Sequence, residues 1–68
     1  MFHDFGHVIR KLKDGYTARR PEWKEKTYLE LRQPAGASQP FIYLVDGEAI
    51  MPYFPVQADI LAEDWTMA

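Results

Sequence analysis

Arg20-Pro21-Glu22-Trp23 is the part of this chain whose residue types could do chemistry. An arginine guanidinium is a planar fork of donors that matches phosphate oxygens, and an indole offers a flat face for a nucleobase. Stacking a base on such a ring is worth about 1–3 kcal/mol. Pro21 fixes the backbone between the two, so both side chains are presented with little loss of freedom. The same residues also suit a plainer role, with Trp23 closing a small core and the arginines solvated around it. Tyr53-Phe54, held between Pro52 and Pro55, is a second aromatic candidate open to the same two readings.

Other groupings offer less. His3 and His7 stand four apart on a helix, a spacing that zinc proteases use. That chemistry needs a third ligand, a general base and an open metal position, and the sequence supplies none of them. Solvated, frayed histidines and no metal site are expected. Asp59, Glu63 and Asp64 could be imagined as an acid–base set, but no nucleophile lies beside them. Asp59 is better suited to a helix cap or a turn. With no cysteine, no glycine-rich phosphate loop and no serine beside a His-Asp pair, no catalytic residue or cofactor is expected.

Local patterns indicate the elements that must position these residues. Phe5, Val8, Ile9 and Leu12 share one helical face, with Asp4 placed to cap it and Gly15 to end it. Beyond Gly15 the period becomes alternating: Tyr16, Ala18 and Arg20 point one way until Pro21 breaks the strand. Thr27 to Arg32 alternates again, with Thr27, Leu29 and Leu31 on one face. Residues 33–40 form a loop of small residues. Phe41 to Val45, the turn Asp46-Gly47 and Glu48 to Met51 read as a hairpin. Pro52 to Pro55 is expected to leave the ladder. Val56 to Asp64 reads as a short helical turn with Val56, Ile60 and Leu61 inward, and Trp65-Thr66-Met67 as a last short strand. The fold class is therefore α+β: an N-terminal helix packed on a small antiparallel sheet, in one domain over residues 1–68.

The chain has 68 residues, ten of them aromatic and none cysteine. A core in a chain below about 70–80 residues rarely supplies more than about 3–5 kcal/mol without a staple. Neither a disulfide nor a thiolate metal cluster is available, so self-association is expected. No apolar run approaches the ~20 residues of a membrane span, and no signal-peptide core is evident, so neither membrane nor export is expected. Net charge is −2, which argues against general nucleic-acid binding. Yet all eight Lys and Arg lie between positions 10 and 32 with four acids, leaving that segment at +4. A local positive segment in an acidic chain suits one compact anion.

Phe5…Val8-Ile9…Leu12…Gly15, then Arg20-x-x-Trp23, Tyr28-Leu29 and the closing Asp59-Ile60-Leu61-Ala62-Glu63-Asp64-Trp65 together resemble the phage Thoeris anti-defence 2 family. Where many members carry Trp after a proline upstream of the closing motif, this chain has Pro52-Tyr53. The resemblance implies a non-enzymatic sponge for cyclic ADP-ribose-type immune signals, working in the cytoplasm of the bacterial host. It also implies a homotetramer with ligand pockets between protomers. Carried over, Arg20 and Trp23 match the Arg-x-x-Trp element, and Tyr53 and Asp59 lie near the second aromatic; Trp65 reads as core. Two alternatives stand beside it: capture of cyclic di- or trinucleotides, or an accessory module that binds a host protein through Trp23 and Tyr53-Phe54.

Overall fold

Asp4 begins the first element: its carboxylate accepts the His7 backbone N–H at 2.9 Å. That satisfies one of the amide donors a helix start leaves open. A computed structural model describes residues 2–67. In it α1 runs Phe5–Lys13, with Val8 and Leu12 buried one turn apart and Arg10, Lys11 and Lys13 in the last turn. Positive charge there complements the helix dipole. Gly15 then takes φ +94°, a left-handed conformation that costs glycine little.

Five antiparallel strands follow: β1 (Ala18–Arg19), β2 (Thr27–Arg32), β3 (Phe41–Asp46), β4 (Ala49–Pro52) and β5 (Thr66–Met67). Their order across the sheet is β4-β3-β2-β1-β5. A short helix, α2 (Gln57–Leu61), precedes β5. The expected helix, sheet and final strand are all present. Leu29 pairs with Ala18 on one side and Leu44 on the other, and Leu44 with Met51, which sets these four in a row. Helix α1 contacts β2 across the sheet. Val8, Leu12, Ala18, Leu29 and Trp65 form the buried cluster. Among the described residues, no helix is long and apolar enough to cross a membrane.

Four local expectations need correction. β1 is two residues rather than five, because both flanks are spent in turns: the Tyr16 N–H donates to Lys11 O at 3.0 Å, and Arg20 O accepts the Trp23 N–H at 3.0 Å. The stretch after β4 does not leave the ladder at Pro52. Pro52 pairs with Tyr43, and the Tyr53 N–H donates to Ile42 O at 2.9 Å. On an edge strand a missing proline N–H leaves no partner stranded.

The third correction concerns α2. Val56, Ile60 and Leu61 are 60%, 44% and 74% exposed, not inward. Five residues make too short a helix for an apolar stripe to set its orientation. Asp59 and Ala62 turn inward instead, Ala62 against the core and Asp59 into a polar network. Finally, His3 is not frayed. Its N–H donates to Trp65 O at 2.8 Å and its carbonyl accepts the Trp65 N–H at 3.1 Å, tying the two ends of the chain together.

Candidate functional site

Where β1 ends, the chain turns through Pro21 and Glu22 and sets Trp23 against the core. Arg19 braces this turn from below: its guanidinium donates to the Trp23 carbonyl, and to Glu25 O at 3.3 Å. Trp23 meets Trp65 at 5.3 Å and 82°, and Tyr53 at 6.4 Å and 64°, both edge-on arrangements that aromatic quadrupoles favour.

Arg20 faces the other way, toward the end of the chain. Its Nε–H donates to Asp64 Oδ1 at 2.9 Å and Nη2 to Asp64 Oδ2 at 3.3 Å, a side-on fork. Nη1 donates to Asp59 Oδ1 at 3.1 Å, and Glu22 lies 3.2 Å from Nη2. Asp59 is the node of the network. Its Oδ2 accepts the Tyr53 hydroxyl at 2.7 Å, and its backbone carbonyl accepts the Trp65 indole N–H at 2.9 Å. These bonds, rather than apolar burial, fasten α2 to the sheet, since no residue of α2 is buried.

The electrostatics follow from that geometry. The Asp64 hydrogen bond raises the Arg20 pKa, with Asp59 adding to it and burial opposing. Burial first, then donation to Asp59, pushes the Tyr53 phenol up, so it stays a hydroxyl at any ordinary pH. The Arg20 hydrogen bond holds the Asp64 carboxyl below its ordinary value of 3.8. A carboxyl depressed in the fold contributes stability above its unfolded pKa, and that contribution is lost as pH falls through the folded one. Melting temperature is therefore expected to fall as pH drops below the ordinary carboxylate range, and Asp64→Asn to flatten that limb of the profile. An unchanged slope in Asp64→Asn would place the acid sensitivity elsewhere.

Beside this network lies an open cleft of about 420 Å³ lined by Trp23, Tyr53 and Leu44 together with Glu22, Lys24, Thr27, Asp46 and Asp59. That volume falls in the range of small-molecule sites. A neighbouring hollow of about 350 Å³, bounded by Phe41, Ile42, Tyr43 and Phe54, shares Tyr53 but has no charged group. The first cleft is the better candidate because it combines aromatic faces with placed polar groups.

All four residues singled out from the sequence thus converge. Trp23, Tyr53 and Asp59 line the cleft, while Arg20 sits behind Asp59 with its fork already engaged by carboxylates. Asp59 does not cap a helix with its side chain; it joins Arg20 to Tyr53. Sequence reasoning missed Thr27 and Asp46, a cross-strand pair whose hydroxyl donates to the carboxylate at 3.1 Å. Only the β2–β3 register reveals that pairing. On α1 and the residues before it, the His3 and His7 rings stack at 3.9 Å and 11°. Partial desolvation, then the neighbouring His3, Lys11 and Arg10, lower the His7 pKa from 6.5, against the pull of Asp4.

Fold and cleft together define a small α+β domain with a ligand-sized aromatic cleft beside an ion-paired network. The chain belongs to the Thoeris anti-defense 2-like family, whose Tad2-like domain model matches residues 3–68. Membership implies a role against the Thoeris defence. No curated protein matches the chain.

Proposed function

We propose that this domain acts by binding rather than catalysis, as a sponge that captures cyclic ADP-ribose-type signals and so keeps the Thoeris effector silent. The observation that carries this reading is the convergence of Trp23, Tyr53 and Asp59 on one cleft within a chain of this family. Trp23 and Tyr53 supply aromatic surface for a base, and Asp59 a hydrogen-bond acceptor. Arg20 takes part by ordering Asp59 and, through it, Tyr53. Phosphate charge is met by Lys24 at the cleft edge and by cations of a second protomer, in a homotetramer within the bacterial host's cytoplasm. Exposed Phe41, Ile50, Met51 and Leu61 provide apolar surface for that assembly.

The test is incubation with cyclic ADP-ribose, its ribose-linked isomers and a set of cyclic di- and trinucleotides, with mass spectrometry of the free and heat-released pools. An ADP-ribose-type ligand is expected to leave the free pool and return chemically intact. A linearised product forming faster than in buffer would make this an enzyme. Sedimentation at micromolar concentration is expected to show an oligomer; a stable 8.0 kDa monomer would remove the shared pocket. Phe54, 82% exposed, favours a second reading in which this aromatic edge docks on a host protein. That reading predicts that every nucleotide stays free.

A further inference from the structure

Arg19 and Arg20 are neighbours where β1 ends, and their side chains leave the sheet on opposite sides, as successive residues of an extended chain do. Arg20 meets carboxylates. Arg19 meets only backbone: Nη1 donates to Glu25 O at 3.3 Å, and Nη2 donates to Trp23 O. Among the described residues no carboxylate pairs with Arg19, and its Nε is buried without an acceptor.

The stretch to which those carbonyls belong has little else to give it shape. Residues 20–26 contain neither helix nor strand. They make two tight turns, closed by the Trp23 N–H on Arg20 O at 3.0 Å and the Thr27 N–H on Lys24 O at 2.9 Å. Two carbonyl oxygens, two residues apart, are drawn to one guanidinium. Without donors between them they repel, and the turn that carries Trp23 loses what fixes its tilt. A planar fork spans both oxygens; an ammonium, a point charge on a flexible stem, does not hold the two in that geometry.

The other side of the cleft is fixed from the next residue. Arg20 holds Asp59, and Asp59 holds the Tyr53 hydroxyl. The Trp23 and Tyr53 rings meet at 64°, so they form a corner of the cleft rather than a parallel slot. We infer that Arg19 is the positioning residue for the Trp23 side of that corner, as Arg20 is for the Tyr53 side, and that the two adjacent arginines jointly set the angle a flat ring must fit. The inference rests on the nucleotide reading above. It assigns binding geometry to a residue that does not itself line the cleft.

Arg19→Lys is the test, because the charge stays and only the fork is lost. Calorimetric titration with the tightest-binding nucleotide of the panel above is expected to show about tenfold weaker binding, within the range of a lost base stack. The chain has two tryptophans, so isotope labelling of the indole nitrogens gives two resonances. The Trp23 signal is expected to shift and the Trp65 signal to stay. Thr66→Val is the control for structure alone, since it removes a hydroxyl bond at 3.2 Å to the Arg19 carbonyl and leaves the guanidinium untouched. It is expected to lower the melting temperature without changing the Trp23 signal or the affinity. The double variant Arg19→Lys, Arg20→Lys is expected to lose less affinity than the product of the two single losses, because a corner opened on one side has little left to lose on the other. Native affinity in Arg19→Lys, an unmoved Trp23 signal, or single losses that simply multiply would overturn the inference with the sponge reading intact. Loss of fold, or both indole signals moving together, would make Arg19 a brace of the whole domain and overturn it as well. No nucleotide held by the native protein would remove the sponge reading, and the Trp23 signal would still decide whether Arg19 sets that ring.

Discussion

Trp65→Ala is expected to unfold the domain, or to leave it folded only at low temperature. Trp65 is fully buried and is the largest side chain in that class. Its ring lies 5.6 Å from Phe5 and 5.3 Å from Trp23, and its indole N–H satisfies the Asp59 carbonyl. Its backbone also holds His3 in a two-way bridge. Deleting an aromatic core residue costs about 3–5 kcal/mol, which is as large as the whole stability of a core this size. Trp65→Phe separates the two contributions. It retains most of the packing but removes the indole donor and leaves the Asp59 carbonyl only the Ala62 N–H at 3.4 Å, a loss of about 0.5–1.5 kcal/mol. Thermal melts followed by circular dichroism measure both variants. An alanine variant melting within a few degrees of the native protein would mean that Trp65 does not organise the core.

Trp23→Ala is expected to act on binding and on folding together. As a stacking face it should contribute about 1–3 kcal/mol to capture of a nucleotide, roughly five- to 150-fold in affinity. The ring is only half buried, yet it packs edge-on against both Trp65 and Tyr53. Truncation therefore also lowers the melting temperature, by less than Trp65→Ala does. Calorimetric titration below the variant's melting range isolates the binding loss. If Trp23→Ala melts as badly as Trp65→Ala, Trp23 belongs to the core and the site assignment falls. If it stays folded and binds normally, Tyr53 is the stacking face.

The placement of Arg20 changes what its replacement tests. A fork aimed at phosphate would lose affinity on conversion to lysine with little effect on the fold. Here the fork spans Asp64 and reaches Asp59, so lysine, a point charge, cannot hold both carboxylates in the same geometry. The consequence passes through Asp59 to the Tyr53 hydroxyl and so to the cleft.

What the sequence determined by itself was whatever short-range physics controls. Asp4, the Val8–Leu12 spacing and Gly15 define α1 within a dozen residues, because capping, periodicity and left-handed backbone are local properties. The β3–β4 hairpin is equally local: Gly47, at φ +64°, starts a two-residue turn between Asp46 and Ala49. Residue chemistry also marked Arg20, Trp23 and Tyr53, and the family resemblance added Asp59. Tertiary structure decided how those residues face one another. Arg20 meets Asp59 and Asp64 across separations of 39 and 44 residues, and a guanidinium suits carboxylate and phosphate oxygens alike, so its neighbours in sequence could not say which it meets. The face of α2 was misread for a related reason. In five residues no apolar period can prevail, and two hydrogen bonds to the Asp59 carboxylate, from Arg20 and Tyr53, set its rotation instead.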